Sequence, residues 1–422
     1  MNKKEVLELK RRFKKDECTF TRMCGCYVDA DHNKIVNIGE TFLNLEEEES
    51  NKYLEIAKKV LSGTLGNNLL ELEFPLAEEA AGGRQQFLMG LRDSKLKNEE
   101  LMDAFYDLVI DSYDFVGNYL ILIFHDAYDV MTRTSDNNNL DESEEVYEYL
   151  LCAICPVALS KPGLGYREDE NRIGSRIRDW VVGMPDTGFL FPAFNDRSTD
   201  IHSTLFYTKD TKNPHSEFME AGLGCGTKRT ATEKKMTFQA IVEQAVGGDE
   251  EENANVFYQL QEGLSEIVEA HDAMDDNEEK EPLILTTSDV SSILSNSNID
   301  EDQAKFIEKS YEEEFCEQPP VADDLLDAKA LEAGASRKEK QDLMTQVQVL
   351  TEQLEDYKAI TKDVDSSEEV SGDDVKTYDV ILRVKPEKVN QIKSETINGQ
   401  KCLVIPMEEN EHAAVNGVNT TV

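Results

Sequence analysis

The middle third of the chain contains the segments that most constrain its fold. Residues 119–130 and 147–156 are long apolar segments with the length and composition of β-strands. Further along, 188–194 and 202–207 have the pattern of a hairpin. Helical patterns come before and after these strands without alternating strictly with them, which argues against a doubly wound parallel sheet. The sequence therefore predicts an α+β fold with a mainly antiparallel sheet and flanking helices.

The segments before residue 119 predict the helices and strands that flank this sheet. Asn2 is placed to cap a first helix, which carries Val6, Leu9 and Phe13 on one face and a cluster of lysines and arginines on the other. That basic face either contacts nucleic acid or an acidic patch elsewhere, or docks on the chain's own acidic domain. The further expected elements are a hairpin over 24–42 with its turn at 30–33, a helix over 46–61, a short strand over 70–74, and helices over 77–92 and 97–112.

Beyond residue 215 the pattern becomes helical. Thr230 and Glu233 form a capping box for one helix, a second apolar-striped helix follows, and 275–281 is an acidic linker. Two short helices are expected over 288–295, capped by Ser288, and 300–315.

The C-terminal region predicts one longer helix and a small β module. Five apolar residues repeat at heptad spacing for about two and a half heptads, and this seam either pairs with a second copy or lies across another domain. They are Leu343, Val347, Leu350, Leu354 and Tyr357. An acidic linker over 363–374 and a strand over 379–384 follow, and Asn398-Gly399 indicates a two-residue hairpin turn.

A chain of 422 residues is long enough for several domains. The expected organisation is an α+β core domain over 1–215, a helical extension over 216–274, a short helical pair over 283–318, a linker over 319–376 containing the heptad helix at 337–360, a β module over 377–407 and a disordered tail over 408–422.

The charge balance is strongly acidic, with 86 Asp and Glu against 44 Lys and Arg, a formal net charge of −42. Such a surface repels phosphate backbones and anionic lipids and favours basic partners or cations. Direct nucleic-acid binding is therefore not expected. Many of the Asp and Glu residues fall in linkers and on the outer faces of helices. This distribution is typical of residues that keep a protein hydrated, and not of a surface that imitates the phosphates of DNA.

The N-terminus lacks the apolar core of a signal peptide, and the longest apolar run, 119–124, has six residues against the roughly 20 that span a bilayer. We therefore expect a cytoplasmic protein that does not cross a membrane. In a reducing compartment its eight cysteines are expected to be thiols or metal ligands.

Polar residues interrupt the predicted strands at two places. His125 and Asp126 stand inside an apolar strand, and Asp196, Arg197, Asp200 and His202 fall in or near the last hairpin. If these strands are neighbours, the side chains would suit a divalent metal and a metal-activated water. The alternative is a structural network in which the turn residues bond their own backbone.

Two cysteine pairs could supply four thiolates to zinc. These are Cys24 with Cys26, and Cys152 with Cys155. Residues three apart on a strand do not share a face, so the second pair needs a bend, and the paired C-x-x-C knuckles of a zinc ribbon are absent. The alternative is that these thiols act as small apolar side chains.

The densest aromatic stretch begins at Trp180 and includes Phe189, Phe191 and Phe194. It is either a binding groove or part of the core, and a strand setting favours the core.

Four blocks of sequence resemble a bacterial family known only as domain of unknown function 4317. They are CTFTRMCGCYVD (18–29), LRDSKL (91–96), NYLILIFHDAYD (118–129) and RDWVVGMPDTGFLFPAFNDRSTDIH (178–202). The likeness covers about 1–318 and returns in the β module, with the heptad helix and its linker resembling an insertion. It implies a cytoplasmic bacterial protein and brings no activity, cofactor or catalytic residue.

Two functions follow from these observations. The first is a non-enzymatic binding or regulatory protein that acts on a basic protein or nucleoprotein partner, with 337–360 either binding a protein partner or self-associating. The second is a metal-dependent hydrolase that uses the His/Asp residues of the strand-rich middle, so the sequence leaves open whether the chain is an enzyme.

Overall fold

The computed structural model describes residues 1–14, 17–133, 139–247, 250–274, 282–297, 299–365, 391–397, 400–406, 412–415 and 418–421. It contains two compact units, Met1–Gln341 and Asp342–Val422. The predicted linker at 275–281 and the predicted strand at 379–384 lie outside the described residues.

Within the described ranges, the strands form one large sheet and four small hairpins. The strands are β1 (Arg22–Val28), β2 (Lys34–Glu40), β3 (Leu69–Glu73), β4 (Asn118–Arg133), β5 (Asn139–Leu159), β6 (Leu164–Arg167), β7 (Arg172–Ser175), β8 (Trp180–Val182), β9 (Thr187–Phe191), β10 (Ala193–Asn195), β11 (Ser198–Asp200), β12 (Ser203–Thr208), β13 (Lys393–Ile397), β14 (Gln400–Val404), β15 (His412–Val415) and β16 (Val418–Thr421). The large sheet has the order β2-β1-β4-β5-β9-β12-β3, with β8 beside the end of β5. Every pairing in it is antiparallel, which confirms the predicted α+β class.

The helices lie before, within and after the strands. They are α1 (Lys3–Arg11), α2 (Glu47–Val60), α3 (Arg84–Asp93), α4 (Glu99–Ser112), α5 (Ala231–Val246), α6 (Glu250–Met274), α7 (Thr287–Asn296), α8 (Glu301–Phe315), α9 (Ala322–Leu325) and α10 (Ala328–Asp365), with a π-helical turn at Phe218–Gly222. Among the described residues, none of them is both long and apolar enough to cross a bilayer.

Helices cover both faces of the large sheet, which is why its central strands are apolar throughout. On β4, Ile121 and Ile123 pack in one core with side chains of α3 and α4. Leu122 and Phe124, which point the other way, pack in a second core with α1 and α2. A strand buried on both faces has no need of polar alternation, so β4 and β5 appear in the sequence as continuous apolar runs.

Helix α1 packs its apolar face on its own domain, whereas Lys3, Lys4 and Arg11 on its basic face are exposed. Its side chains Val6 and Leu9 are buried in the second core together with Phe13. Asn2 and Glu5 form the capping box that begins the helix. The Arg12 guanidinium lies 3.6 Å from the centre of the Tyr128 ring on β4.

Two predicted helix starts are wrong for local reasons. The helix expected from residue 77 begins instead at Arg84. Gly82 has φ +93°, and Gly83 approaches the Glu78 backbone so closely that a Cβ would lie 2.2 Å from its carbonyl oxygen, so residues 78–83 form a tight turn. Helix α7 is capped by Thr286, not Ser288, because Thr286 and Asp289 complete a capping box.

Helices α5 to α9 pack around a third core, built on Phe238, Leu260 and Tyr311. The predicted capping box of Thr230 and Glu233 is confirmed at the start of α5. These helices belong to the same compact unit as the sheet.

The part of the C-terminal unit that the structure describes contains the end of α10 and two hairpins. The heptad residues Leu343 to Leu354 are helical, whereas the Tyr357 side chain lies outside the described part. The β13–β14 register pairs Ile397 with Gln400, as a two-residue turn at 398–399 requires. Strands β15 and β16 also pair within 412–421, a segment for which the sequence predicts disorder.

Candidate functional site

The predicted site residues on β4 point to opposite faces of the sheet because they are adjacent on a strand. His125 is fully buried, with Nδ1 2.8 Å from Thr21 Oγ1. Its Nε2 lies 4.0 Å from Glu148 Oε2 and makes no hydrogen bond within the described residues. Burial lowers the pKa of His125, which favours the neutral imidazole at neutral pH.

Asp126, on the other face, is the centre of a buried polar network. Its carboxylate accepts hydrogen bonds from Tyr149 Oη at 2.6 Å and Thr19 Oγ1 at 2.5 Å, and Arg12 Nη2 lies 3.6 Å away. These partners compensate the burial of the charge and tie α1 to the sheet.

Asp196 and Arg197 form the turn between β10 and β11, both with positive φ (51° and 56°), as a type I′ turn requires. Arg197 forms a two-point ion pair with Glu8 on α1, with Nη2 2.9 Å from Oε1 and Nε 3.2 Å from Oε2. This contact again holds α1 in place.

Asp200 and His202 engage still other partners. Asp200 accepts hydrogen bonds from Asn195 Nδ2 at 2.7 Å and from the backbone N–H of His202 at 3.0 Å. The exposed His202 ring has Nδ1 2.7 Å from Glu79 Oε1. The six residues therefore do not converge, and over the described ranges no group of three or more His, Cys, Asp or Glu is arranged to hold a metal ion.

The cysteines divide between the two cores. Cys24, Cys26 and Cys152 lie on one face of the sheet and Cys155 on the other, because three residues along a strand reverse the side. Burial raises the pKa of Cys26 to about 11 and of Cys155 to about 12, so both are protonated thiols at neutral pH. Each of the eight cysteines in the chain is a free thiol. The four candidate ligands thus behave as small apolar side chains.

A polar cluster that the sequence did not reveal lies just before the π-helical turn. His215 Nε2 is 2.9 Å from Asp186 Oδ2, and Nδ1 is 2.9 Å from Glu217 Oε1. Tyr113 Oη donates a hydrogen bond to the same Asp186 oxygen at 3.0 Å. Because both imidazole nitrogens have carboxylate partners, His215 acts as a clamp and has no nitrogen left to serve as a general base. Asp186 is 29 positions away in the sequence, so no local spacing signals this pair.

Eight large apolar side chains are exposed in the segment 164–184, here called the apolar arm. Tyr166 and Ile173 pair across β6 and β7, which form a separate two-stranded hairpin outside the large sheet. The exposed apolar residues of the arm are Leu164, Tyr166, Ile173, Ile177, Trp180, Val181, Val182 and Met184. A patch of this kind marks an interaction surface more often than a bare solvent face.

Trp180 corrects the sequence-based expectation for the aromatic stretch. Phe189, Phe191 and Phe194 are fully buried, as predicted, but Trp180 is 54% exposed. The difference arises because β9 lies inside the sheet, whereas β8 pairs only with the last residues of β5, Val157 to Leu159.

A groove of about 560 Å³ opens beside β8 and α2, here called the α2–β8 groove. Its apolar lining consists of Tyr53, Ile56, Leu120, Val182 and Met184. Ile56 and Leu120 of this lining belong to the second core.

The rim of the α2–β8 groove is acidic. Glu49, Lys52 and Glu55 line it with a net charge of −1, and Lys52 Nζ lies 3.2 Å from Glu55 Oε2. Burial, with the nearby carboxylate of Glu49, raises the pKa of Tyr53. An apolar floor with an acidic rim is complementary to a segment that has apolar anchors and basic flanks.

Comparison with known proteins gives one result. A family model described as a domain of unknown function (DUF4317) matches residues 1–418. The matched range runs through α10, so the segment that resembles an insertion lies within it. No curated protein matches the sequence.

Proposed function

The chain belongs to the DUF4317 family, a domain of unknown function, and we propose that it is a non-enzymatic protein that binds a basic segment of a protein partner in the α2–β8 groove. The observation that carries this proposal is the apolar floor of the groove, exposed beside the apolar arm and bordered by carboxylates.

The apolar surface supplies the affinity in this proposal. Val182 and Met184 are 41% and 47% exposed, which leaves substantial apolar area to be removed from water by a partner side chain. Trp180, adjacent on β8, is a residue type enriched among binding hot spots.

The charge supplies the selectivity. The acidic rim and the net charge of −42 attract a cationic segment over long range and oppose anionic ones, so nucleic acid is not the proposed ligand. A basic protein, alone or within a nucleoprotein, fits this requirement. The proposal also assigns the protein to the cytoplasm, and its eight free thiols are in keeping with a reducing compartment.

A titration with a designed peptide tests the proposal. The probe is a synthetic amphipathic peptide of leucine and lysine, compared with its leucine–glutamate counterpart. Trp180 is the only tryptophan in the chain and is half exposed, so its emission should shift to shorter wavelength when the basic peptide covers the arm. We expect the basic peptide to bind and the acidic one to fail, with an affinity that falls as salt rises.

Variants locate the binding surface. The double variant Val182→Ser/Met184→Ser should weaken binding of the basic peptide by about tenfold or more, because it removes apolar surface from the floor of the groove. A tenfold loss of affinity corresponds to about 1.4 kcal/mol of binding free energy. Leu76→Ser, at a residue 84% exposed after β3, is the matched control and should bind like the original protein. Equal binding of both peptides, or unchanged binding by the double variant, would refute the proposal.

A further inference from the structure

The exposed apolar seam of α10 points to a second interaction surface, separate from the groove. Leu343, Val347, Leu350 and Leu354 are 55–61% exposed, although they are helical and separated by steps of four, three and four. Large apolar side chains in a continuous line on a helix normally face a partner.

We propose that the occupant of this seam is the same seam of a second copy, giving a parallel two-stranded coiled coil over 343–354. With Leu343 at heptad position d, Val347 and Leu354 occupy position a and Leu350 the next d. Val at a with Leu at d is a combination that favours two parallel strands.

The charge pattern identifies the partner as a second copy. A chain with a net charge of −42 repels itself wherever acids meet acids. In 343–354 none of the eight positions that face a coiled-coil partner is charged, although 31% of the whole chain is. Those positions are Leu343, Met344, Gln346, Val347, Leu350, Thr351, Gln353 and Leu354. The one acid in the segment, Glu352, falls at the outward position f.

An uncharged seam gives neither a basic nor an acidic partner an electrostatic advantage, whereas it removes the main obstacle to self-pairing in this chain. The seam is short, so the dimer should be weak and concentration-dependent. Combined with the proposed function, on which this consequence rests, dimerisation brings two α2–β8 grooves into one assembly.

The solution mass of the full chain tests the proposal. In sedimentation equilibrium over about a hundredfold range of concentration, the mass should rise from 47.7 kDa toward twice that value. Leu350→Glu should hold the protein at the mass of one chain throughout. Thr345→Glu adds the same charge to the same helix at the outward position f, and it should still dimerise.

A mixing experiment tests the parallel arrangement. Leu350→Glu and Leu350→Lys should each be monomeric alone and associate when mixed, because position d of one chain faces position d of the other. A single-chain mass for the original protein, a dimer that survives Leu350→Glu, or a mixture that stays monomeric would overturn the proposal. The groove variant Val182→Ser/Met184→Ser should remain dimeric, and its loss of the dimer would instead place the contact at the groove.

Discussion

His215 combines an uncommon backbone conformation with two ionic partners. Its φ of +59° lies in the left-handed region, which is uncommon for residues other than glycine, although asparagine, aspartate and histidine are enriched there. The two carboxylates on its ring and the π-helical turn that follows hold this conformation. At the scale of single residues, the clamp joins the loop after β12 to Asp186, which lies between β8 and β9.

The clamp makes the stability of the protein depend on pH. Burial alone would lower the pKa of His215, but the hydrogen bonds to Asp186 and Glu217 outweigh it and raise the pKa above its ordinary value. The hydrogen bond from His215 in turn lowers the pKa of Asp186, against the opposing effect of burial. The contribution of His215 to the free energy of unfolding is thus fully present below about pH 6.5 and is lost as the pH rises through its raised pKa. The contribution of Asp186 is present above about pH 3.9 and is lost as the pH falls through its lowered pKa.

The variant His215→Asn tests this linkage, because asparagine tolerates positive φ but cannot carry the charge. We expect it to lower the free energy of unfolding by about 2 kcal/mol near pH 6 and by less near pH 9. Urea unfolding followed by circular dichroism at the two pH values measures the difference. His202→Asn, at an exposed histidine, is the control and should change little; a loss for His215→Asn that is the same at both pH values would contradict the linkage.

Helix α10 crosses α6 closely at Gly334. A Cβ on Gly334 would lie 1.8 Å from Cδ2 of the Tyr258 ring, so only glycine allows this approach. Tyr258 Oη donates a 2.6 Å hydrogen bond to Glu262 on the same helix, and Lys338 Nζ lies 3.6 Å from Glu262 as well. At the scale of helices, one residue without a side chain sets the position of the N-terminal part of α10.

We expect Gly334→Val to push α10 away from α6 and to destabilise this part of the first unit by about 1–3 kcal/mol. Amide hydrogen exchange over 328–341 should speed up in the variant. Ala335→Val makes a similar change at an exposed neighbouring position of α10 and should exchange like the original protein. Comparable acceleration by both variants would contradict this role of the crossing, because valine is a better helix former than glycine and helix propensity alone would not speed exchange in Gly334→Val.

Charge is the property that acts on the whole molecule. A net charge of −42 on one chain produces mutual repulsion among its carboxylates, which opposes the compact state. Many acids flank helices, as in the first turn of α6, where Glu250, Glu251 and Glu252 favour the helix dipole locally while adding to the global repulsion.

Salt should therefore stabilise the protein. Raising the ionic strength from about 0.01 M to about 0.15 M shortens the Debye length from about 30 Å to about 8 Å and screens the long-range repulsion. We expect the midpoint of thermal unfolding to rise by about 3 °C, corresponding to about 1 kcal/mol. Sodium and potassium chloride should act alike, because screening depends on ionic strength; a midpoint that stays flat or falls would show that self-repulsion is not a significant term.

The sequence by itself determined the features that depend on neighbouring residues. The capping boxes of Thr230 and Glu233, the hairpin of β1 and β2 and the hairpin of β13 and β14 are fixed by side chains and turns within a few positions. The apolar segments of β4 and β5 likewise predicted buried strands, because segments that apolar have to be removed from water. The hairpin patterns of the neighbouring strands predicted that the sheet is antiparallel.

Only the tertiary structure decided which distant residues meet. It placed His125 and Asp126 on opposite faces, separated Cys155 from the other three thiols and brought Asp186 to His215. It also left Trp180 exposed, because β8 pairs only with the last residues of β5. The physical reason is register: which side chains share a face depends on pairings between strands far apart in the chain, and no local pattern encodes them.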